Sequence, residues 1–514
     1  MLFNSFHFLI FLPVVAVIYY ILPKKVRYIW LLAASYYFYM QWNPVYVLLL
    51  LGTTLVTYAG ALAIEKTSKI RTKRIVLITA LTANLLMLAY FKYMNMLMSL
   101  AASLAKFFGT KDISFSFNIL LPVGISFFTL QALGYLIDVY RGDIYAEKNV
   151  FRYALFVSFF PQLVAGPIER SRGLLKQLAV PKSFSFENVR HGFITMLYGY
   201  LLKVVIADRI AIFVDAVYDS PEQFGGAFVV VATLLFTLQI YCDFYGYSTI
   251  AKGAARILGI KLMDNFDAPY LSGSIKEFWR RWHISLSTWF RDYLYIPLGG
   301  SRKGKTRTYI NLMIVFAVSG LWHGASLSFV AWGVLHGLYQ VVEGLLGVGR
   351  SNDKLKGSDN LPADIEKAGN KETSIETAYQ GREHKGKEIL IRVCSVVINF
   401  ILVAAAWLLF RAGSLSKSVT LIGRLFAGDG ESFNLTTFTG LGVSTEYFIV
   451  VAVATLILLI VDILKYKKID VAESYLKMNV VLRVVLTVFL LVAIILFGCY
   501  GSAYDTQQFI YFQF

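Results

Sequence analysis

Residues 274–325 read SIKEFWRRWHISLSTWFRDYLYIPLGGSRKGKTRTYINLMIVFAVSGLWHGA, and this stretch decides the fold. Trp279, Trp282, Leu286, Trp289 and Tyr293 recur at steps of three and four, as on one helix face. His283, Ser287, Phe290 and Leu294 form an adjacent row. Arg280, Arg281 and Arg291 are too many charges for a span that faces lipid. The segment is therefore expected to be an interfacial or broken helix lining a cavity. A short glycine-rich basic turn, GGSRKGKTR at 299–307, follows. An apolar run at 309–322 then crosses back and ends in GLWHG. Gly324 suits a helix C-cap, which sets His323 at a helix end toward the outer part of a membrane.

The rest of the chain agrees with a bilayer as solvent. Of 514 residues, 57% are hydrophobic and only 16% are charged, too little polar surface for a soluble globule. Mean hydropathy is +0.60. The net charge is +17, but Lys and Arg sit mostly in short links between apolar runs. That is the positive-inside pattern, not the clustered basic surface of a nucleic-acid binder, so no nucleic-acid partner is expected. Cys242, Cys394 and Cys499 are widely spaced, in or beside apolar runs, and indicate neither a disulfide framework nor a metal site.

Hydropathy and length give roughly twelve spans: 6–22, 26–42, 45–64, 75–100, 119–140, 191–218, 224–247, 309–322, 327–346, 389–410, 447–464 and 480–500. The first lacks a positive leader, and its positives (Lys24, Lys25, Arg27) follow it. It reads as a retained span with the N-terminus outside. Lys66, Lys69, Arg71, Lys73 and Arg74 follow the third span and fall on the same side as Lys24. Residues 151–167, broken by Pro161, Gly166 and Pro167 and basic at both ends, read as re-entrant. Irregular backbone at membrane depth is tolerated only when buried in protein or lining a cavity. Four regions result: a membrane body at 1–346 with a central segment at 275–325, a polar cytoplasmic insertion at 347–388, further membrane helices at 389–500, and an aromatic tail at 501–514. The insertion holds eight basic and eight acidic residues and reads as disordered or loosely helical.

A neutral imidazole at position 323 can accept a hydroxyl proton, and histidine is the commonest general base. The basic turn with Arg302, Lys303, Lys305 and Arg307 has two readings. It either neutralises the phosphates of a cytoplasmic donor or simply anchors the inner face. It is no P-loop, because the glycine spacing and the preceding strand are missing. His7, His191, His336 and His384 read as structural or surface residues. Asp243, placed at a span end, reads as orienting a polar partner or making a structural hydrogen bond.

These residues resemble a known family. EFWRRWHISLS at 277–287, RDYLYIPLGG at 291–300 and GLWHG at 320–324 resemble the membrane-bound O-acyltransferases. More narrowly, they resemble the bacterial branch that acetylates alginate and other exported polysaccharides, related to the teichoic-acid D-alanylation transferase. MLFNS at 1–5, FPQLVAGP at 160–167, YCDFYGY at 241–247 and NFDAPY at 265–270 extend the resemblance over nearly the whole chain. It departs at Tyr245, where the family usually has Ser, and at Asp267, where Asn is common.

The resemblance implies an all-α polytopic membrane protein, a ring of roughly 10–13 helices around a tunnel with re-entrant and interfacial helices. It implies that His323 is the essential histidine and His283 the second polar position. Trp282, Trp322, Ser287, Arg291 and Asp243 are expected to line or support the tunnel. The expected donor is a cytoplasmic thioester, acyl-CoA or an acyl carrier protein, with no bound cofactor and no metal. An outer-face, hydrolase-like acyltransferase is the implied protein partner, in a cytoplasmic membrane with both termini outside. FIYF at 509–512 resembles the terminal motif of the small peptide of the D-alanylation system, whose tyrosine carries the acyl group. Tyr511 is thus either an acyl relay or an aromatic interface anchor. Three rival classes have discriminators. A non-catalytic subunit of an envelope polymer export complex would leave polymer acylation unaltered in a deletion strain. A secondary transporter should show paired interrupted repeats, and none is visible. A lipid-linked glycosyltransferase wants outer-loop carboxylates, where only Asp219 and Glu222 stand.

Overall fold

A computed structural model describes residues 1–109, 119–164, 166–348, 373–427, 444–500 and 509–510. It is an all-α polytopic membrane protein; no strand occurs among the described residues. Seven of its helices are long and apolar enough to cross a membrane: Pro44–Lys66, Ile70–Phe107, Gly226–Ile257, Leu327–Leu346, Glu388–Ala412, Glu446–Tyr466 and Val480–Phe497. Their outer faces carry apolar side chains. Val480, Val481, Val484, Val485 and Val488 are all exposed on the last of them, which water would penalise and lipid does not.

The other expected spans are shorter or interrupted. Residues 6–22 and 26–42 become the helices Phe6–Ile21 and Arg27–Met40. The 119–140 run is helical only from Ile125 to Arg141, and nearly every residue of that helix is buried. Apolar character there serves packing inside the protein rather than contact with lipid, a distinction hydropathy cannot make. The 191–218 run splits into Phe186–Tyr200, a π-helical segment Leu201–Ala207 and Asp208–Asp219. The 151–167 region forms two short helices, Val150–Ser158 and Phe160–Leu163, joined at Phe159 and buried on most sides.

Two features of the C-terminal third bear on the sequence reading. The insertion was read as disordered or loosely helical, and its described end is helical. Residues 349–372 lie outside the described set, but from Thr373 the chain is helical without a break to Ala412. A helix not anticipated from hydropathy, Leu415–Phe426, starts at Ser414, whose hydroxyl accepts from the Lys417 amide. It buries Ser418 and Leu421 and exposes Val419 and Phe426. It is too amphipathic to register as a span.

Small residues let the central helices touch. Helix Phe186–Tyr200 lies against Gly226–Ile257 at Gly199 and Gly246, where a Cβ on Gly199 would come within 2.7 Å of the Gly246 carbonyl oxygen. Helices Lys305–His323 and Leu327–Leu346 meet through Gly320 and Gly333, whose Cβ would fall 2.2 Å from the Phe316 carbonyl oxygen. Membrane helices gain stability chiefly from such close backbone approach. Gly333→Leu should therefore push apart the helix that ends in His323. A fall in the thermal midpoint of the detergent-solubilised protein by several degrees is expected; an unchanged midpoint contradicts the close packing.

Candidate functional site

The 274–297 stretch folds as two helices and not one. Ile275–Arg281 starts at Ser274, whose hydroxyl accepts from the Glu277 amide. The Ser274-x-x-Glu277 pattern is a legible helix start. The helix stops at Trp282, and His283 adopts a left-handed conformation with φ 43°. Ile284–Phe290 then begins a second helix, followed by a π-helical turn Arg291–Tyr295. The continuous face of Trp279, Trp282, Leu286, Trp289 and Tyr293 is thus interrupted at the histidine, as expected for a broken helix.

The break needs partners for the amides it releases, and the 265–267 loop supplies them. The Ile284 amide donates to the Asn265 carbonyl at 3.0 Å, and the Ser285 amide to Asn265 Oδ1 at 3.3 Å. The Asp267 amide donates to the Arg281 carbonyl at 3.0 Å. Ser287 Oγ donates to the Trp282 carbonyl at 3.2 Å, closing the end of the first helix. The NFDAPY stretch therefore holds His283 in a conformation that an L-residue rarely adopts. Its departure at Asp267 has a local partner: Arg281 Nη1 lies 3.2 Å from Asp267 Oδ2. The departure at Tyr245 has another, since Lys465 Nζ donates to Tyr245 Oη at 3.0 Å.

His323 is the last residue of the Lys305–His323 helix and is buried. Gly324 does follow it as the cap, but in an extended conformation rather than a left-handed one. Glycine is needed there for space, because a Cβ would collide with the Phe329 ring at 2.2 Å. The His323 ring meets Trp322 and Trp332 edge-on at 5.0 Å each, and Phe410 at 5.5 Å. Trp322 stands between the two histidines, 6.2 Å from the His283 ring. His283 also meets Phe244 at 4.6 Å and Phe127 at 6.3 Å. A small cleft, with about 30 Å³ of room for water-sized molecules and partly open to the surroundings, is lined by Lys92, Val123, Ser126, Phe127, Trp322 and His323.

Lys92 was not singled out from the sequence. It lies buried in the Ile70–Phe107 helix and its ammonium donates to the Trp322 carbonyl and, at 3.1 Å, to the His323 carbonyl. Its neighbour Tyr93 donates to the Leu321 carbonyl at 2.7 Å. The last turn of a helix leaves carbonyls without amide partners and carries partial negative charge. A cation is the natural cap there. The legible signal was the lysine itself, charged inside an apolar run.

The other expected residues divide into two groups. Trp282 is buried among Phe266, Phe278 and Trp407 at 5.0–5.4 Å. Trp407 stacks on Trp332, which touches His323, so an aromatic chain joins the two sides. His336 accepts from Trp279 Nε1 at 3.3 Å. Asp243 is not at a span end. It sits mid-helix in Gly226–Ile257, buried, paired with Lys203 at 2.6 Å. The boundary was misplaced because the helix runs ten residues beyond the apolar stretch that ends at Tyr247.

Arg302, Lys303, Lys305 and Arg307 are exposed and far from the histidines. Lys305 begins the helix that His323 ends, so the two are separated by roughly 27 Å at 1.5 Å per residue. Lys305 and Arg307 stand in the first turn, where the helix dipole disfavours cations. Arg291, also exposed, pairs with Asp292 at 2.8 Å. Asp292 in turn pairs with Arg170 at 2.9 Å. Tyr511 lies outside the described residues. The two residues before it, Phe509 and Ile510, are only 1% and 3% exposed. At those two positions the chain is packed into the protein, not laid along an interface.

Two buried histidines, His283 at a helix break and His323 at a helix end on the cleft, form the candidate centre of an integral-membrane enzyme. The family model of MBOAT, the membrane-bound O-acyltransferase family, matches residues 146–358. The chain is 35% identical over 464 residues to "Probable alginate O-acetylase AlgI" of Pseudomonas putida, covering 89% of this chain and 86% of that one. It is 32% identical over 465 residues to "Peptidoglycan O-acetyltransferase" of Helicobacter pylori, covering 84% and 81%. It is 27% identical over 294 residues to "Teichoic acid D-alanyltransferase" of Streptococcus thermophilus, covering 54% and 67%. The chain belongs to the membrane-bound O-acyltransferase family and is an O-acyltransferase.

Proposed function

We propose that this enzyme takes an acetyl group from a cytoplasmic thioester, acyl-CoA or an acyl carrier protein, and passes it through the membrane for O-acetylation of an exported polysaccharide or envelope polymer. The names of its relatives support the acetyl group and the polymer class. The observation that carries the mechanism is the place of His323 on the cleft, with Trp322 in contact with both it and His283.

His323 takes the proton of an acceptor hydroxyl as its oxygen attacks the thioester carbonyl. The carbon–sulfur bond breaks when the tetrahedral oxyanion collapses, and the proton passes to the departing thiolate. His283, rigidly held by the Asn265 loop, orients the acyl group or stabilises the oxyanion. A thioester is already activated, so positioning and a base supply most of what the reaction requires.

The basic turn serves the anionic part of the donor. Helix stability does not ask for cations in a first turn, so either an anionic ligand or membrane sidedness accounts for Lys305 and Arg307. The enzyme sits in the cytoplasmic membrane with both termini outside, and an extracytoplasmic hydrolase-like acyltransferase completes transfer to polymer. Membrane lipid is its surroundings, and no nucleic acid takes part.

Tyr511 is proposed as an intermediate acceptor. Its phenol oxygen receives the acetyl group as an aryl ester, which keeps much of the thioester's reactivity. Mass spectrometry of the C-terminal peptide from active cells should find an added acetyl group on Tyr511. Tyr511→Phe should lose both that mass and polymer acetylation, and full activity in this variant overturns the relay.

A further inference from the structure

Two unusual features meet away from the histidines. The first is the π-helical segment Leu201–Ala207, which leaves backbone groups outside the regular helical ladder. The Val204 carbonyl accepts from the Cys499 amide at 2.9 Å. Arg209 Nη2, just beyond the segment, donates to the Phe497 carbonyl at 2.6 Å. The second is a buried charge cluster. Lys203 Nζ lies 2.8 Å from Asp208 Oδ1 and 2.6 Å from Asp243 Oδ1. The other oxygen of Asp243 accepts the Ile510 amide at 2.8 Å.

Both ends of the 499–510 stretch are therefore held at one place. One cation faces two carboxylates in this cluster, so its formal charge is negative, and a buried carboxylate needs every donor it can find. The Ile510 amide supplies one, as a charge-assisted hydrogen bond. Phe509 adds packing, 4.7 Å from the Tyr247 ring and 5.7 Å from that of Phe244. Phe244 is the ring that meets His283 at 4.6 Å. Phe3 stacks on Tyr247 at 4.5 Å, so the two ends of the chain share one aromatic wall.

We infer that Lys203, Asp208 and Asp243, with the freed carbonyl of Val204, form a receptor for the enzyme's own C-terminal tail, seating Ile510 on Asp243 and Phe509 against Tyr247 and Phe244, the ring that meets His283. The consequence for catalysis rests on the relay reading of Tyr511; the docking does not. Asp243 is a positioning residue in this account, acting on the tail and not on substrate.

The test uses the full-length, detergent-solubilised enzyme and two readouts, hydrogen–deuterium exchange of the C-terminal peptide and acetyl transfer. Ile510→Pro removes the donated hydrogen without touching the cluster. Asp243→Leu removes the acceptor from the opposite side, and Asp243→Asn keeps an acceptor oxygen. Ile510→Pro and Asp243→Leu should exchange at least about tenfold faster at the tail and lose transfer by a similar factor. Asp243→Asn should stay close to the parent in both. Equal tail protection in parent, Ile510→Pro and Asp243→Leu overturns the receptor. Faster exchange with lost transfer, alongside full activity of Tyr511→Phe, upholds the receptor and removes only the relay.

Discussion

His323→Ala is expected to cut acyl transfer by about 10²–10⁴-fold, the usual contribution of a general base. The protein should still insert, extract as a single species and unfold at a similar temperature. His323 is one ring among Trp322, Trp332 and Phe410; Trp332 and Phe410 meet each other, and Trp322 meets Phe127, through contacts that do not pass through the imidazole. Trp332 stacks on Trp407 at 5.5 Å and meets Phe410 at 5.1 Å whether or not residue 323 has a ring. His323→Gln tests the same point with less lost volume. Transfer rates should be measured with a thioester donor in proteoliposomes. If the alanine variant retains parental transfer, the base is elsewhere and the assignment of His323 falls.

Lys92→Met should lower kcat by about 10²-fold. The methionine fills most of the same volume but donates nothing. The carbonyls of Trp322 and His323 lose the ammonium that holds them, and a buried acceptor left unmade costs about 1–3 kcal/mol. The helix can recover part of this by tilting its last turn, and that turn carries His323. A displacement of about 1 Å at a reacting group is enough for the loss stated. Because Lys92 acts through position and not through binding, KM for the donor should change little. Lys92→Arg, which restores donors at a different reach, should recover part of kcat. Parental kcat in Lys92→Met, or a loss confined to KM, would contradict this role.

Much of this site was legible along the chain. The GLWHG run placed a histidine at a helix end, and the crowd of arginines at 280–291 announced a helix that could not face lipid. Both features rest on local rules: glycine after a helix, and the cost of charge in hydrocarbon. The helix start at Ser274 and the small residues at Gly320 and Gly333 are equally local.

What sequence reading lost was whatever depends on pairing between distant segments. Lys92 is 230 positions from Trp322, and nothing near it in sequence tells which carbonyl it will cap. Asn265 looked like part of a loop, and only the fold shows it supplying the acceptors that let His283 break its helix. Asp243 was set at the edge of a span because hydropathy fades after Tyr247, although the helix continues to Ile257. The burial of one expected span was missed for a related reason. Helix Ile125–Arg141 was read as part of an apolar span, yet nearly all of its residues are buried in protein.

By itself, then, the sequence determined the solvent and the all-α class, because burial of apolar surface and exclusion of charge from lipid act residue by residue. The tertiary structure decided which groups His283 and His323 meet. It also drew Phe509 and Ile510 away from the membrane interface and into the protein, where a buried carboxylate accepts a backbone amide. Electrostatic completion of a buried cluster is a property of three dimensions, and no local pattern in the chain records it.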